Sequence, residues 1–248
     1  MSNIDIEILY KDDDLLVINK PAGLLVHPAP TKHKGDQATI IDWLVKNFPE
    51  VQVVGDDPAV RPGIVHRLDK DTSGVMIIAR NQDSFDYLKN LFQTRQITKT
   101  YLALVHGHIK QRSGTIDKPL GIVGGTTKRS TRSQKMSKTA VTDYKVVKYL
   151  GPKSDGTEQG SKTPKDSNGQ FTLVSVTPRT GRTHQIRVHL ISIGHPIVGD
   201  KLYGRRDIKG IERQFLHAES IEFTTPGGSR LKIGADLPED LKTFLDSI

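Results

Sequence analysis

RPGIVHRLDKDTSGVMIIAR, residues 61–80, places a dense polar cluster directly ahead of a strand. Arg61-Pro62-Gly63 is loop chemistry, because Pro fixes φ and Gly reaches conformations other residues avoid. Thr72-Ser73-Gly74 reads as a second turn. Val75-Met76-Ile77-Ile78-Ala79 is an unbroken apolar run of the kind that forms a strand buried on both faces. Between the turns stand His66, Arg67, Asp69, Lys70 and Asp71. Polar loops held by rigid strands are where scaffolds present chemistry. Arg67 and Asp69 are two residues apart, so in extended backbone their side chains share a direction. Asp69 has cations on both sides in the chain and is expected to be ionised at neutral pH. It could then act as nucleophile, base or electrostatic stabiliser. The plainer alternative is a loop ion pair that only holds structure.

The whole chain supports a nucleic-acid partner. It has 248 residues, a formal net charge of +8 and a pI of about 9.5. An excess of that size favours a polyanion, nucleic acid ahead of a membrane surface. Hydrophobic residues make up 35% and charged residues 26%, which is a soluble, globular balance. There are no cysteines, so thiol ligands for zinc or iron–sulfur clusters and disulfides are excluded. No apolar stretch approaches the roughly 20 residues needed to cross a bilayer, and the start MSNIDIEILYKDDD lacks the basic start and apolar run of a signal peptide. Cytoplasm is the expected location, with a monomer as the default state.

Outward from the central stretch, Ile4, Ile6 and Ile8 alternate with acids as in a half-buried strand, Asp12–Asp14 turn, and Leu15–Ile18 form a buried strand. Helices are expected at 39–48, 82–95, 183–193 and 238–247. The first carries an apolar stripe ended by Pro49, and Trp43 is expected to pack. Thr183 is the expected cap of the third, with Ile186, Leu190 and Ile193 on its apolar face, and Pro238 opens the fourth. Strands dominate the remainder, giving an α+β fold. Residues 128–138, KRSTRSQKMSK, hold five Lys or Arg and no acid. They read as a solvated loop or as a mobile arm that orders on RNA phosphates. Residues 151–169 contain no hydrophobic residue and are expected to be a flexible insertion within one domain spanning 1–248.

The string HRLDKDTSG followed by its apolar strand resembles the signature of the RluA-type pseudouridine synthases. LLVINKPAGLLVHP at 15–28, KTYLALVHG at 99–107, AVTDY at 140–144 and TPRTGRTHQIRVHLISIGHPIVGD at 177–200 resemble further segments of that family. The resemblance implies a mixed, largely antiparallel sheet with flanking helices and a basic cleft. It implies Asp69 as the catalytic carboxylate and Arg67 as the residue that displaces the target uridine. Tyr101 would stack on the flipped base, Arg187 would pair with Asp69, and Lys20 would help shape the wall of the site. Arg179, Arg182 and His184, near a helix start, suit RNA phosphate. The first motif begins at Leu15, so the small S4-type domain of some relatives is not expected here. The implied reaction is isomerisation of uridine to pseudouridine in structured RNA, ribosomal or transfer. It needs no cofactor, and the chain has no phosphate-cradling glycine motif for a nucleotide. His184, His189 and His195 lack metal-ligand spacing and are expected to be hydrogen-bonding or core residues, with no metal. Two other readings remain at this point. One is a silent RNA-binding or ribosome-assembly factor. The other is an aspartate-dependent hydrolase of a glycosidic bond, for which Asp71 is the nearest second acid.

Overall fold

The computed structural model describes residues 5–27, 38–151, 169–204 and 208–248. The greater part of the expected insertion, 152–168, lies outside them. In chain order the elements are strands β1 (Glu7–Lys11) and β2 (Leu15–Lys20), helix α1 (Ile40–Asn47), a 3-10 turn (Pro49–Val53), strand β3 (Ser73–Ala79) and helix α2 (Gln82–Gln93). Strands β4 (Thr98–His106), β5 (Ser113–Asp117), β6 (Gly121–Ile122), β7 (Arg129–Ser130), β8 (Val141–Leu150) and β9 (Phe171–Pro178) follow. Helix α3 (Gln185–Ser192), strands β10 (Leu216–Thr224) and β11 (Arg230–Gly234), and helix α4 (Glu239–Asp246) complete the series. The chain divides into two compact units, Met1–Lys99 with His217–Asp236 and Thr100–Leu216 with Leu237–Ile248.

In the first unit β2 pairs antiparallel with β1 and β3, β10 pairs antiparallel with β11, and β3 and β10 run parallel. The sheet is thus mixed but mostly antiparallel, as expected for the α+β class. Every residue of β3 is buried. Val75, Ile77 and Ala79 face one way and pack with Leu15 and Val17 of β2, Phe85, Leu88 and Leu91 of α2, and Ile221 and Phe223 of β10. Gly74 does not turn the chain. It sits inside β3 with φ +113°, opposite Ala218, and a Cβ there would meet the Ala218 carbonyl oxygen at 2.2 Å. Only glycine permits so close a parallel approach.

Local signals explain the helix boundaries. Thr39 and Asp42 form a reciprocal capping box at α1, and Asn81 accepts from the Ser84 N–H at the start of α2. Pro49 ends α1 but also opens the 3-10 turn, within residues read as loop. Trp43 packs, with its ring centroid 5.7 Å from Phe48.

The second unit holds the antiparallel ladder β4–β9–β8–β5 and the separate ribbon β6–β7. Leu241 and Phe244 of α4 are buried, and Phe244 packs on Phe215. Residues 128–138 are not a structureless arm. Lys138 and Leu120 exchange backbone hydrogen bonds, Ile122 N–H donates to the Lys135 carbonyl, and Ser133 Oγ donates to the Ile122 carbonyl. The polar sequence hid this ribbon because backbone pairing, not apolar side chains, builds it.

Helix α3 starts later than expected. His184 precedes it in the left-handed region, φ 57°, and Thr183 is not its cap. All residues from Gln185 to Leu190 are buried, so α3 has no polar face. Its polar side chains survive burial because each finds partners. Gln185 accepts from Thr180 Oγ1 and the Arg182 N–H, and donates to the Val141 carbonyl and Thr142 Oγ1.

Candidate active site

In the first unit the loop ahead of β3 is fixed through its backbone. The Thr72 N–H closes a turn on the Asp69 carbonyl at 3.2 Å, and the Gly23 N–H donates to the Lys70 carbonyl at 3.0 Å. Lys20, at the end of β2, is 0% exposed. Its ammonium donates to the carbonyls of Pro21, Lys70 and Thr72 at 2.8, 2.9 and 3.0 Å. A buried cation is tolerated when acceptors surround it. Lys20 therefore ties the Pro21 turn to the Asp69–Thr72 turn from within.

Leu68 is buried while Arg67 is exposed and Asp69 half-buried. The alternation sends Leu68 into the core and its two neighbours the other way, as their spacing predicts. Arg67 Nη1 lies 2.7 Å from His27 Nε2. Arginine has only donors, so that nitrogen of His27 is the acceptor. His66 belongs to the scaffold and not to the reactive cluster. It accepts the Ile77 N–H at 3.0 Å and stacks on Phe92 at 4.9 Å. Burial, and then the charge of Lys99, push its pKa down to about 3.

In the second unit Tyr101 lies on β4, buried, in register with Val176 of β9. Arg187 is only 6% exposed, so this charged side chain lies inside the unit. Its Nε and Nη2 donate to the two carboxylate oxygens of Asp200 at 2.7 and 2.8 Å. Asp200 also accepts the Leu202 and Tyr203 N–H groups, both at 2.9 Å. Burial alone would raise its pKa, but the guanidinium fork and these amides outweigh it and hold the carboxyl below its ordinary value. The Arg187 guanidinium also lies over the Tyr203 ring, 5.1 Å from its centre.

His184 Nδ1 is 2.9 Å from the Tyr203 hydroxyl, so His184 and Arg187 meet at one ring. Arg182 is exposed, with its Nε on the Thr139 carbonyl at 3.1 Å. Arg179 is engaged by Asp143 through two hydrogen bonds of 2.6 and 3.0 Å. His189 is held between Thr142 Oγ1 and the Lys118 carbonyl, and burial lowers its pKa. His195 Nδ1 lies 2.8 Å from the His106 carbonyl. His189 is a core histidine and His195 a half-buried, hydrogen-bonded one. Among the described residues no cluster of His, Asp or Glu is suited to a metal, and no helix is long and apolar enough to cross a membrane. Asp200, Tyr203 and Gln185 were not singled out by the sequence. A lone acid and a lone tyrosine after a glycine give no pattern.

Comparison with known proteins agrees with the geometry. A family model described as RNA pseudouridylate synthase matches residues 14–192. The chain belongs to that family and is an isomerase that converts uridine to pseudouridine in RNA. It is 36% identical to the uncharacterized RNA pseudouridine synthase YlyB of Bacillus subtilis, over 99% of this chain and 73% of the relative. It is 35% identical to ribosomal large subunit pseudouridine synthase D of Yersinia pestis, over 99% of this chain and 71% of the relative. Among solved structures it resembles human RNA pseudouridylate synthase domain containing 4, with a TM-score of 0.70 and 26% identity over 97% of this chain and 92% of that one.

Proposed function

We propose that this isomerase acts on large-subunit ribosomal RNA in the cytoplasm, as a monomer, with Asp69 as its catalytic carboxylate. The fixed backbone of the Asp69–Thr72 turn carries this reading, since a reacting group must be held to within a fraction of an ångström. A stacked uridine is out of reach in a helix, so the target must be extruded. Arg67, exposed and directed away from the core, is the residue proposed to fill the vacated space. Tyr101 is proposed to stack on the uracil, and Arg187, its orientation fixed by Asp200, to be the cation that pairs with Asp69. Arg182 and His184 are assigned to the phosphates. The reaction breaks the bond from ribose C1′ to uracil N1 and forms one from C1′ to C5, with the C5 proton lost and N1 protonated. Asp69 can open it by attack at C1′ or by removal of the C2′ proton. The relatives named for the ribosomal large subunit support the choice of RNA.

The test is incubation of the purified protein with large-subunit ribosomal RNA and with transfer RNA, followed by chemical mapping of pseudouridine. New pseudouridine in the ribosomal RNA alone is expected. Product in transfer RNA alone would overturn the substrate, and release of free uracil would replace isomerisation by hydrolysis.

A further inference from the structure

The second unit joins its basic ribbon to the Arg187 guanidinium through one side chain. The Tyr203 hydroxyl accepts the backbone N–H of Arg129, in β7, at 2.7 Å. The same oxygen lies 2.9 Å from His184 Nδ1, and the two rings meet edge-on at 5.5 Å and 72°. The ring carries the Arg187 guanidinium on its face, and the Tyr203 N–H donates to the carboxylate that clamps Arg187. Tyr203 also packs against Leu120, Ala140 and Val188. One half-buried tyrosine thus touches the ribbon, the residue that opens α3, the clamped arginine and its aspartate.

The geometry has a mechanical meaning. A two-stranded ribbon is marginally stable alone, so whatever it leans on sets its position. The segment it begins carries Lys128, Arg129, Arg132, Lys135 and Lys138, which suit a run of phosphates. A displacement of β7 must either break the hydrogen bond from Arg129 or move the phenol. Moving the phenol tilts the ring under Arg187. Burial raises the phenol's pKa, so at neutral pH it keeps the proton with which it can meet a second partner.

We propose that Tyr203 is a positioning residue that registers the RNA-holding ribbon against Arg187, so that phosphate engagement and orientation of the arginine are coupled. This rests on the reading of Arg187 given above.

The test compares Tyr203→Phe, which keeps the ring and loses the hydroxyl, with Tyr203→Leu, which loses both. Loss of the hydroxyl contacts should lower kcat about tenfold in Tyr203→Phe while KM and the Kd for RNA stay within about twofold. Tyr203→Leu should lower kcat by about a further tenfold as the cation loses its ring. A merely structural role would lower Tm and leave kcat per folded molecule unchanged. Tyr203→Phe with full kcat, or with a change in KM alone, overturns the proposal. Asp69→Asn, run in parallel, separates the two failures. If it keeps turnover, the catalytic reading falls; if it is silent while Tyr203→Phe is fully active, only the coupling falls.

Discussion

Asp200→Asn perturbs the most fully buried ion pair described in the chain. Asp200 is 4% exposed and Arg187 6%, and the pair is a two-pronged fork of 2.7 and 2.8 Å. Asparagine is nearly the same size, so the substitution removes charge without opening a cavity. It leaves a buried guanidinium with a neutral acceptor and turns one accepting oxygen into a donor that faces N–H groups. Removing one partner of a buried pair costs about 3–5 kcal/mol. For a chain of this size that lowers Tm by about 6–20 °C. Glu222→Gln is the control, because Glu222 pairs with Arg230 at 2.8 Å on the surface. Exposed pairs contribute under about 1 kcal/mol, so its Tm should fall by less than about 4 °C. Differential scanning calorimetry at neutral pH, with urea unfolding to confirm the change, reads both. The carboxyl is depressed in the fold, so its contribution is present above the unfolded pKa and is lost as pH falls toward the lower folded value. The gap between parent and Asp200→Asn should therefore narrow in acid. If Asp200→Asn melts within about 2 °C of the parent, the clamp on Arg187 contributes little and the reasoning is refuted.

Three further outcomes are expected. Lys20→Met keeps the bulk of the side chain but frees three carbonyls beneath the Asp69 turn; kcat should fall at least about tenfold with RNA affinity held, and an equal loss of affinity would return Lys20 to the RNA surface. His66 stays neutral in the fold down to about 3 but protonates near 6.5 when unfolded, so stability should drop as pH falls through that window; His66→Gln should flatten the drop in urea midpoints, and an unchanged pH profile would contradict it. Tyr101→Ala should cost about 1–3 kcal/mol of stacking in RNA turnover while Tyr101→Phe costs less; equal losses would argue against a stacked base.

Much of the architecture was legible because its cause is local. The apolar run at 75–79 became β3, helices form within all four expected spans, and the apolar stripe of α1 turns to the core. Helix α3 was half-legible. Its apolar residues suggested a two-faced helix, but Gln185, Arg187 and His189 are buried by partners far away in sequence. The burial of Lys20 was not legible for the same reason, since a lysine that ends a strand ordinarily reaches water. The glycine- and threonine-rich stretch 113–127 reads as a hairpin and loop, but the pairing of β6 with β7 was not legible because main-chain hydrogen bonds leave no trace in hydrophobic patterning. The family motifs exposed the residues assigned to the reaction. Asp200 and Tyr203 stand out only in the structure, where both contact Arg187.

The most direct test of the account is Asp69→Asn, assayed for RNA binding and for pseudouridine formation on the same ribosomal RNA. Binding within a few-fold of the parent and no product is the predicted result. Sustained product formation by Asp69→Asn would contradict it and remove Asp69 from the chemistry.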